Sequence, residues 1–231
     1  MEPRLWQCIL LLAENIVPGG YMLDVGANNG ASTLMLAHQF TNNTVLAVEP
    51  IMSNVMEIRR RVRNLSNVQI VRGGLGRRDG NATYGAILDA RPLDAMGKTG
   101  PQYGDRLKYN AGQRADTRRV KFPVYTIDKL VKSDRLSFAH IDVEGAEEDV
   151  LNGGMQTFYR DRPIFTIERF PYSRPQFYRS AMDLLTFMQY DAYEIPESCG
   201  ADDCRNYVAL PIEKHLTIPK QCICITCSSS E

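Results

Sequence analysis

The chain predicts an α/β fold, a mostly parallel sheet with helices on both faces. Three observations predict it. Short apolar runs alternate with segments of helical periodicity, the pattern of buried parallel strands joined by crossover helices. The first run, Tyr21 to Val25, ends in a glycine-bearing loop that opens a helix. A later run, Phe138 to Ile141, ends in a cluster of carboxylates. A length of 231 residues suits one large α/β unit and is too short for two comfortable ones, so residues 1–231 are read as a single domain.

Each element follows in order. Leu5 to Ala13 reads as a helix packed on the first strand. Arg4 before it gives a faint likeness to a signal-peptide core, but Glu2 and Glu14 flank it and no small-x-small cleavage site follows. After the strand Tyr21–Val25, Thr33 to Phe40 is helical and Val45 to Val48 is a second strand ending in Glu49. Ile51 to Val62 is a helix, and Asn67 to Val71 a third strand that stops at the turn Gly73-Gly74-Leu75-Gly76. From about residue 77 to 121 the periodicity fades, although Ala82 to Leu88 has strand character. A long irregular stretch within a compact domain is typically a functional loop or a disordered one, and we expect a substrate-facing insert. Order resumes at Phe122, passing from strand to helix across Thr126-Ile127-Asp128-Lys129-Leu130. Then come the strand Phe138–Ile141, the helix Glu147–Leu151 with Gly153-Gly154 as its stop, and the strand Ile164–Ile167. Pro175 to Gln189 is an amphipathic helix with proline in its first turn. Ala192 to Ile195 and Asn206 to Leu210 form a closing antiparallel pair, and the tail from about 212 carries no strong signal.

Composition narrows the function. Lys plus Arg and Asp plus Glu are both 27, for zero formal net charge. Nucleic acid is not expected as a partner, because phosphate binding needs a clear cationic field. No run is long enough to span a membrane. The cysteines (Cys8, Cys199, Cys204, Cys222, Cys224 and Cys227) lack the paired spacing of a zinc site. No metal is expected, and reduced thiols point to a cytoplasmic location.

Two constellations carry chemistry. In Asp24-Val25-Gly26-Ala27-Asn28-Asn29-Gly30-Ala31-Ser32-Thr33, Gly26 and Gly30 allow close backbone approach and positive φ. The helix N-terminus that follows presents unpaired N–H groups. Glu49, at the end of the next strand, is placed to accept hydrogen bonds from a ribose diol. Together they predict a nucleoside-containing cofactor. The second constellation is His140-Ile141-Asp142-Val143-Glu144-Gly145-Ala146-Glu147. It puts acids at the carboxyl end of a central strand, where open α/β sheets bind ligands. Glu147 also suits a helix N-terminus, and Glu168 ends the next strand, facing the same crevice.

These segments resemble the FkbM family of S-adenosylmethionine-dependent methyltransferases. The resemblance rests on Asp24–Gly30, Val48-Glu49-Pro50, Thr126–Leu130, Ile141–Glu147 and Val150–Gly154, in order from about 20 to 170. The first motif is shared by many class I methyltransferases; the Thr-Ile-Asp and Asp-Val-Glu-Gly-Ala-Glu pair is particular to this family. His140 stands where many relatives carry Lys. The resemblance implies a Rossmann-like, seven-stranded class I methyltransferase sheet, O-methyltransferase activity and S-adenosyl-L-methionine as cofactor. By position in these motifs, Asp24, Gly26, Ala27, Asn28, Asn29, Gly30 and Ser32 line its methionine and ribose side. Glu49 with Pro50 holds the ribose, Gly74 and Leu75 lie near the adenine, and Asp142 touches cofactor or acceptor.

Methyl transfer to a hydroxyl needs in-line alignment and benefits from a base. Asp142, Glu144 and His140 are the candidates. Imidazole titrates near neutrality, and His140 shares a strand face with Asp142. The expected acceptor is a hydroxyl of a small molecule or glycan. The alternative is a scaffold that binds the cofactor without turnover. An NAD-dependent oxidoreductase fits less well, because Asn28 occupies the place of the second glycine in the dinucleotide fingerprint.

Overall fold

In this computed structural model of the chain, residues 3–87, 117–143, 146–169, 175–196, 205–217 and 223–224 are described. Helix α1 (Pro3–Leu11) precedes β1 (Tyr21–Val25), α2 (Ala31–Gln39), β2 (Thr44–Glu49), α3 (Met52–Arg61), β3 (Val68–Arg72), β4 (Gly74–Leu75) and β5 (Gly80–Ile87). The second half runs β6 (Thr117–Tyr125), α4 (Ile127–Val131), β7 (Leu136–Ile141), α5 (Glu147–Asn152), α6 (Met155–Asp161), β8 (Ile164–Arg169) and α7 (Pro175–Phe187). It closes with β9 (Tyr190–Pro196), β10 (Arg205–Pro211) and β11 (Ile223–Cys224).

The main sheet has the order β11-β9-β10-β8-β7-β1-β2-β3. Strands β3, β2, β1, β7 and β8 are parallel, and β10 is antiparallel to both β8 and β9. These are the seven expected strands, with the two-residue β11 added at one edge. The order turns back between β1 and β7, so the crevice at their carboxyl ends is the switch point where open α/β sheets bind ligands. Alternate residues of β1 feed opposite cores, as a period of two requires. Met22 joins Leu5, Trp6, Ile9, Val45, Phe138 and Ile164 under α1. Leu23 and Val25 join Ile127, Val150, Phe158 and Leu185 on the other face.

A second sheet, β4-β6-β5, stands beside β3 and β2. Its Phe122 packs with Ile51, Ala82 and Val124, tying the sheet to the residues just after Glu49. The insert therefore begins as an antiparallel pair, β5 with β6. Strand β6 starts at Thr117 rather than at Phe122, because pairing to β5 carries a segment too charged to read as a strand. Residues 88–116, including Tyr103 and Tyr109, lie outside the described residues, as do Cys199, Cys204, Cys222 and Cys227. Gly153-Gly154 ends α5 as expected, but α6 starts immediately afterwards. Asp128 on α4 accepts the N–H groups of Thr157 at 2.8 Å and Gln156 at 3.4 Å, capping α6 from far along the chain.

Candidate active site

The loop after β1 folds between the carboxyl ends of β2 and β7. Gly26 and Ala27 donate to the Val48 carbonyl, and Asp142 N donates to Val25 O. Gly26 has φ +84°, and a Cβ there would lie 1.8 Å from the Asp142 carbonyl oxygen. Gly30, at φ +80°, would press a Cβ on Ile58 at 3.0 Å. The two glycines thus answer to the protein's own elements, where the sequence suggested approach to a ligand. Asn28 takes φ +48°, a conformation that asparagine tolerates better than most residues. Asn29 Oδ1 accepts Ala31 N at 3.1 Å, covering an otherwise unpaired donor at the start of α2.

Glu49 is 4% exposed and is the hub of this loop. Its Oε2 accepts Asn28 N at 2.9 Å. Oε1 accepts Ile51 N at 2.8 Å and Asn54 Nδ2 at 3.3 Å. Burial pushes the Glu49 carboxyl up to about 7, against the lowering effect of those three hydrogen bonds. A carboxylate has about four acceptor positions, so Oε2 keeps one for a ribose hydroxyl. That chemistry fits the cofactor. Pro50, Gly74 and Leu75 are buried beside it, and Gly73 N donates to Glu49 O at 3.2 Å. The Leu75 side chain belongs to the main core, which leaves only its backbone to face an adenine.

Asp24 is wholly buried. Its Oδ2 accepts the Ser32 hydroxyl at 2.9 Å and the Thr33 hydroxyl. Asp24 and Ser32, both predicted to line the cofactor, therefore grip each other beneath the loop. His140 is Asp24's register partner on β7 and 5% exposed. Its Nδ1 lies 2.9 Å from Thr166 Oγ1, and Trp6 of α1 covers it at 6.1 Å between ring centroids. This corrects His140 as a base acting on the acceptor. Its ring is enclosed on the α1 face, one rung back from the crevice.

The next rung outward carries the other acids. Ile141 pairs with Ile167 and Glu168 with Asn206, so Asp142, Glu168 and Asn206 follow one level across β7, β8 and β10. Extended the other way, through the pairs Val25–Ile141 and Val25–Val48, the level reaches Gly26 and Glu49. Glu144 and Gly145 lie outside the described residues. Among the described residues, no three His, Cys, Asp or Glu side chains form a group able to hold a metal ion.

Residues 24–200 match the methyltransferase FkbM domain. The chain belongs to the FkbM methyltransferase family. Its cofactor is S-adenosylmethionine. A curated relative, Methyltransferase 1 of Beauveria bassiana, is 29% identical over 143 residues, covering 58% of this chain and 57% of that protein. The chain thus spans little more than half the length of that relative. The crystal structure of an FkbM methyltransferase from Methylobacillus flagellatus superposes with a TM-score of 0.57 at 18% identity, over 82% of this chain and 43% of the other. An rRNA methylase from Streptococcus thermophilus gives 0.51 at 8% identity, over 90% and 96%. These two structures share the fold. No helix among the described residues is long and apolar enough to cross a membrane.

The FkbM motifs at Thr126–Leu130 and Val150–Gly154 form a structural latch. Thr126 Oγ1 caps α4 by accepting Lys129 N at 3.2 Å, and Asp79 accepts Thr126 N at 3.0 Å. Asp128 N donates to Gly153 O at 3.1 Å. A Cβ on Gly153 would come within 2.0 Å of Gly76 O, so this FkbM glycine pair is fixed by backbone contact. Sequence reasoning missed Thr33, Asn54, Thr166 and Trp6 as supports of the site. For Thr33 the i+9 spacing from Asp24, opening the helix after the loop, was a usable signal. For the other three, nothing local reveals the partner.

Proposed function

We propose that this FkbM domain transfers a methyl group from S-adenosylmethionine to a hydroxyl oxygen of a small molecule or glycan. The single observation that supports this reading is the polar rung at the sheet's carboxyl end. It has Glu49 on one side of Gly26 and Asp142, Glu168 and Asn206 on the other. When bound, the cofactor supplies an already activated methyl group. Glu49 accepts a ribose hydroxyl, and the loop from Gly26 to Gly30 sets the depth of the cofactor site. Asp142 takes the proton of the acceptor hydroxyl as the oxygen gains its methyl, and Glu168 and Asn206 orient neighbouring hydroxyls. Carboxylates beside an amide suit a polyhydroxylated acceptor, since each accepts from O–H and the amide also donates.

A panel of hydroxylated acceptors incubated with protein and S-adenosylmethionine tests this, with product read by mass spectrometry. An O-methylated product is expected. Asp142→Asn should lower turnover by about 10²–10⁴-fold, the usual worth of a placed base, while S-adenosylhomocysteine affinity stays within a few-fold. Methyl found on nitrogen or carbon would overturn the hydroxyl assignment. Cofactor binding without turnover on any acceptor would favour the scaffold.

A further inference from the structure

The two oxygens of the Glu49 carboxylate are supplied unequally with donors, and the inequality comes from α3. Ile51 is the N-cap of that helix and has no side chain able to cap it. Its own N–H turns back to Glu49 Oε1 at 2.8 Å. In a capping box the side chain of the third helical residue accepts the N-cap N–H. Here that residue is Asn54, and its Nδ2 donates at 3.3 Å to the same Glu49 oxygen. Among the described residues Oε1 thus has two donors for its two lone pairs, while Oε2 has one, Asn28 N at 2.9 Å. Asn54 is 5% exposed and neighbours the core residues Val55 and Ile58 of the same helix. A carboxamide buried in such company is costly unless its polar atoms are used, and the bond to Glu49 offsets that cost.

We propose that Asn54 is a positioning residue for the cofactor: by holding Oε1 of Glu49 it turns Oε2 toward the ribose and stabilises the carboxylate form that receives a ribose hydroxyl. The direction of the Glu49 perturbation agrees. Burial pushes the carboxyl up to about 7, and the hydrogen bonds from Ile51, Asn28 and Asn54 oppose this. Asn54 donates through its side chain, so its bond can be removed without touching the backbone. The charged groups around Glu49 are few. Asp24 on β1 raises it further. Arg72 on β3 is its register partner and is exposed. On α3, Glu57 pairs with Arg60 and Arg61 at the surface. Asp142 stands beyond Gly26 on the same level, and the second sheet brings Phe122 against Ile51, which adds no charge.

Glu49 must be ionised to receive the ribose hydroxyl, so affinity has an acid limb. S-adenosylhomocysteine affinity of the full chain, measured by calorimetry from pH 5.5 to 9, reads it. Asn54→Leu keeps the volume and removes the donor. The ionisation of Glu49 should then move about one pH unit upward, the low end of the worth of a hydrogen bond to a charged group. The variant's loss of affinity should be about tenfold at pH 6 and under about twofold at pH 9, because the acid limb moves with that ionisation. A residue that only packs the helix would cost the same at every pH. In a Glu49→Gln background, which has no proton to exchange here, the cost of Asn54→Leu should be flat with pH. A flat cost in the wild-type background, or an equally pH-dependent cost in the Glu49→Gln background, overturns the proposal.

A measurement on the wild type covers the case in which Asn54→Leu fails to fold. The side-chain amide protons of Asn54, followed by NMR, should titrate with a midpoint of about 7, the Glu49 value, and should cease to do so in Glu49→Gln. Amide protons that stay still through this range overturn the proposal. The inference rests on the reading that Glu49 receives the ribose. A Glu49→Gln variant that binds S-adenosylhomocysteine as the wild type does at every pH overturns both. An acid limb that depends on Glu49 and is left in place by Asn54→Leu overturns this inference alone.

Discussion

Two regions of this domain are built alike and do different work. In each, a glycine lets one stretch of backbone touch another where no side chain fits: Gly26 against Asp142 O, and Gly153 against Gly76 O. In each, a carboxylate accepts backbone N–H groups. At the cofactor loop Glu49, which does so, and Asp24, which accepts the Ser32 and Thr33 hydroxyls, are buried, and burial raises both. At the latch, Asp128 caps α6 from a half-buried position and exposed Asp79 holds the N–H of Thr126, the cap of α4. Burying a charge makes it titratable near neutrality and responsive to what binds beside it. Capping a helix at the surface only adds stability. The difference separates a site from a joint, although both are motifs of one family.

The sharpest test exchanges a methyl for each glycine's hydrogen. Gly26→Ala adds a left-handed strain of about 1–3 kcal/mol to a collision with backbone that has no slack. S-adenosylhomocysteine binding should fall at least about 100-fold, or 2.7 kcal/mol. Gly153→Ala meets an equally hard contact without positive φ. It should lower the melting temperature while the protein that remains folded keeps its affinity within about threefold, or 0.7 kcal/mol. Paired calorimetry and thermal unfolding check this. Equal loss of binding in both would erase the distinction.

Glu49 comes next in size. Its carboxyl is raised from 4.5 to about 7, so between those values the folded chain holds a proton that the unfolded chain has lost. Stability contributed at this position therefore falls as pH rises from 4.5 through 7, while the ionised fraction able to receive a ribose hydroxyl grows. Affinity should strengthen from pH 6 to 8 while this part of the stability declines. Glu49→Gln should weaken binding by about tenfold or more, the worth of a hydrogen bond to a charged group, and remove both pH trends. A glutamine variant that kept the acid limb would place that titration elsewhere.

The sequence carried the parts of this arrangement that local pattern encodes. Alternation along Tyr21–Val25 and Phe138–Ile141 marked the strands, and Glu49 was legible because it ends its own strand. What pattern cannot carry is register between strands distant in the chain. Asp24 and His140 are neighbours only because β7 pairs with β1, after five intervening strands. With that pairing unknown, His140 looked like a base facing the acceptor. Helix α6 was lost for a similar reason, since its cap is Asp128, 28 residues before Gln156. Two glycines in succession read as a stop, and the residue that restarts the helix came from elsewhere.

Asp128 also gives the smallest effect. Its side chain takes two of the four N–H groups that α6 leaves unpaired, and it places negative charge at the positive end of the helix dipole. Asp128→Ala should cost about 0.5–2 kcal/mol, the range for losing a cap. For a domain of this size that lowers the melting temperature by roughly 2–4 °C per kcal/mol. Asp128→Asn keeps one acceptor oxygen and should fall between alanine and the wild type. S-adenosylhomocysteine affinity should be unchanged in both, because Asp128 caps α6 at the latch. Thermal scans alongside the pH series decide it. A variant with an unchanged melting temperature and weakened cofactor binding would move Asp128 out of the joint and into the site, and the contrast between the two regions would fail at its structural end.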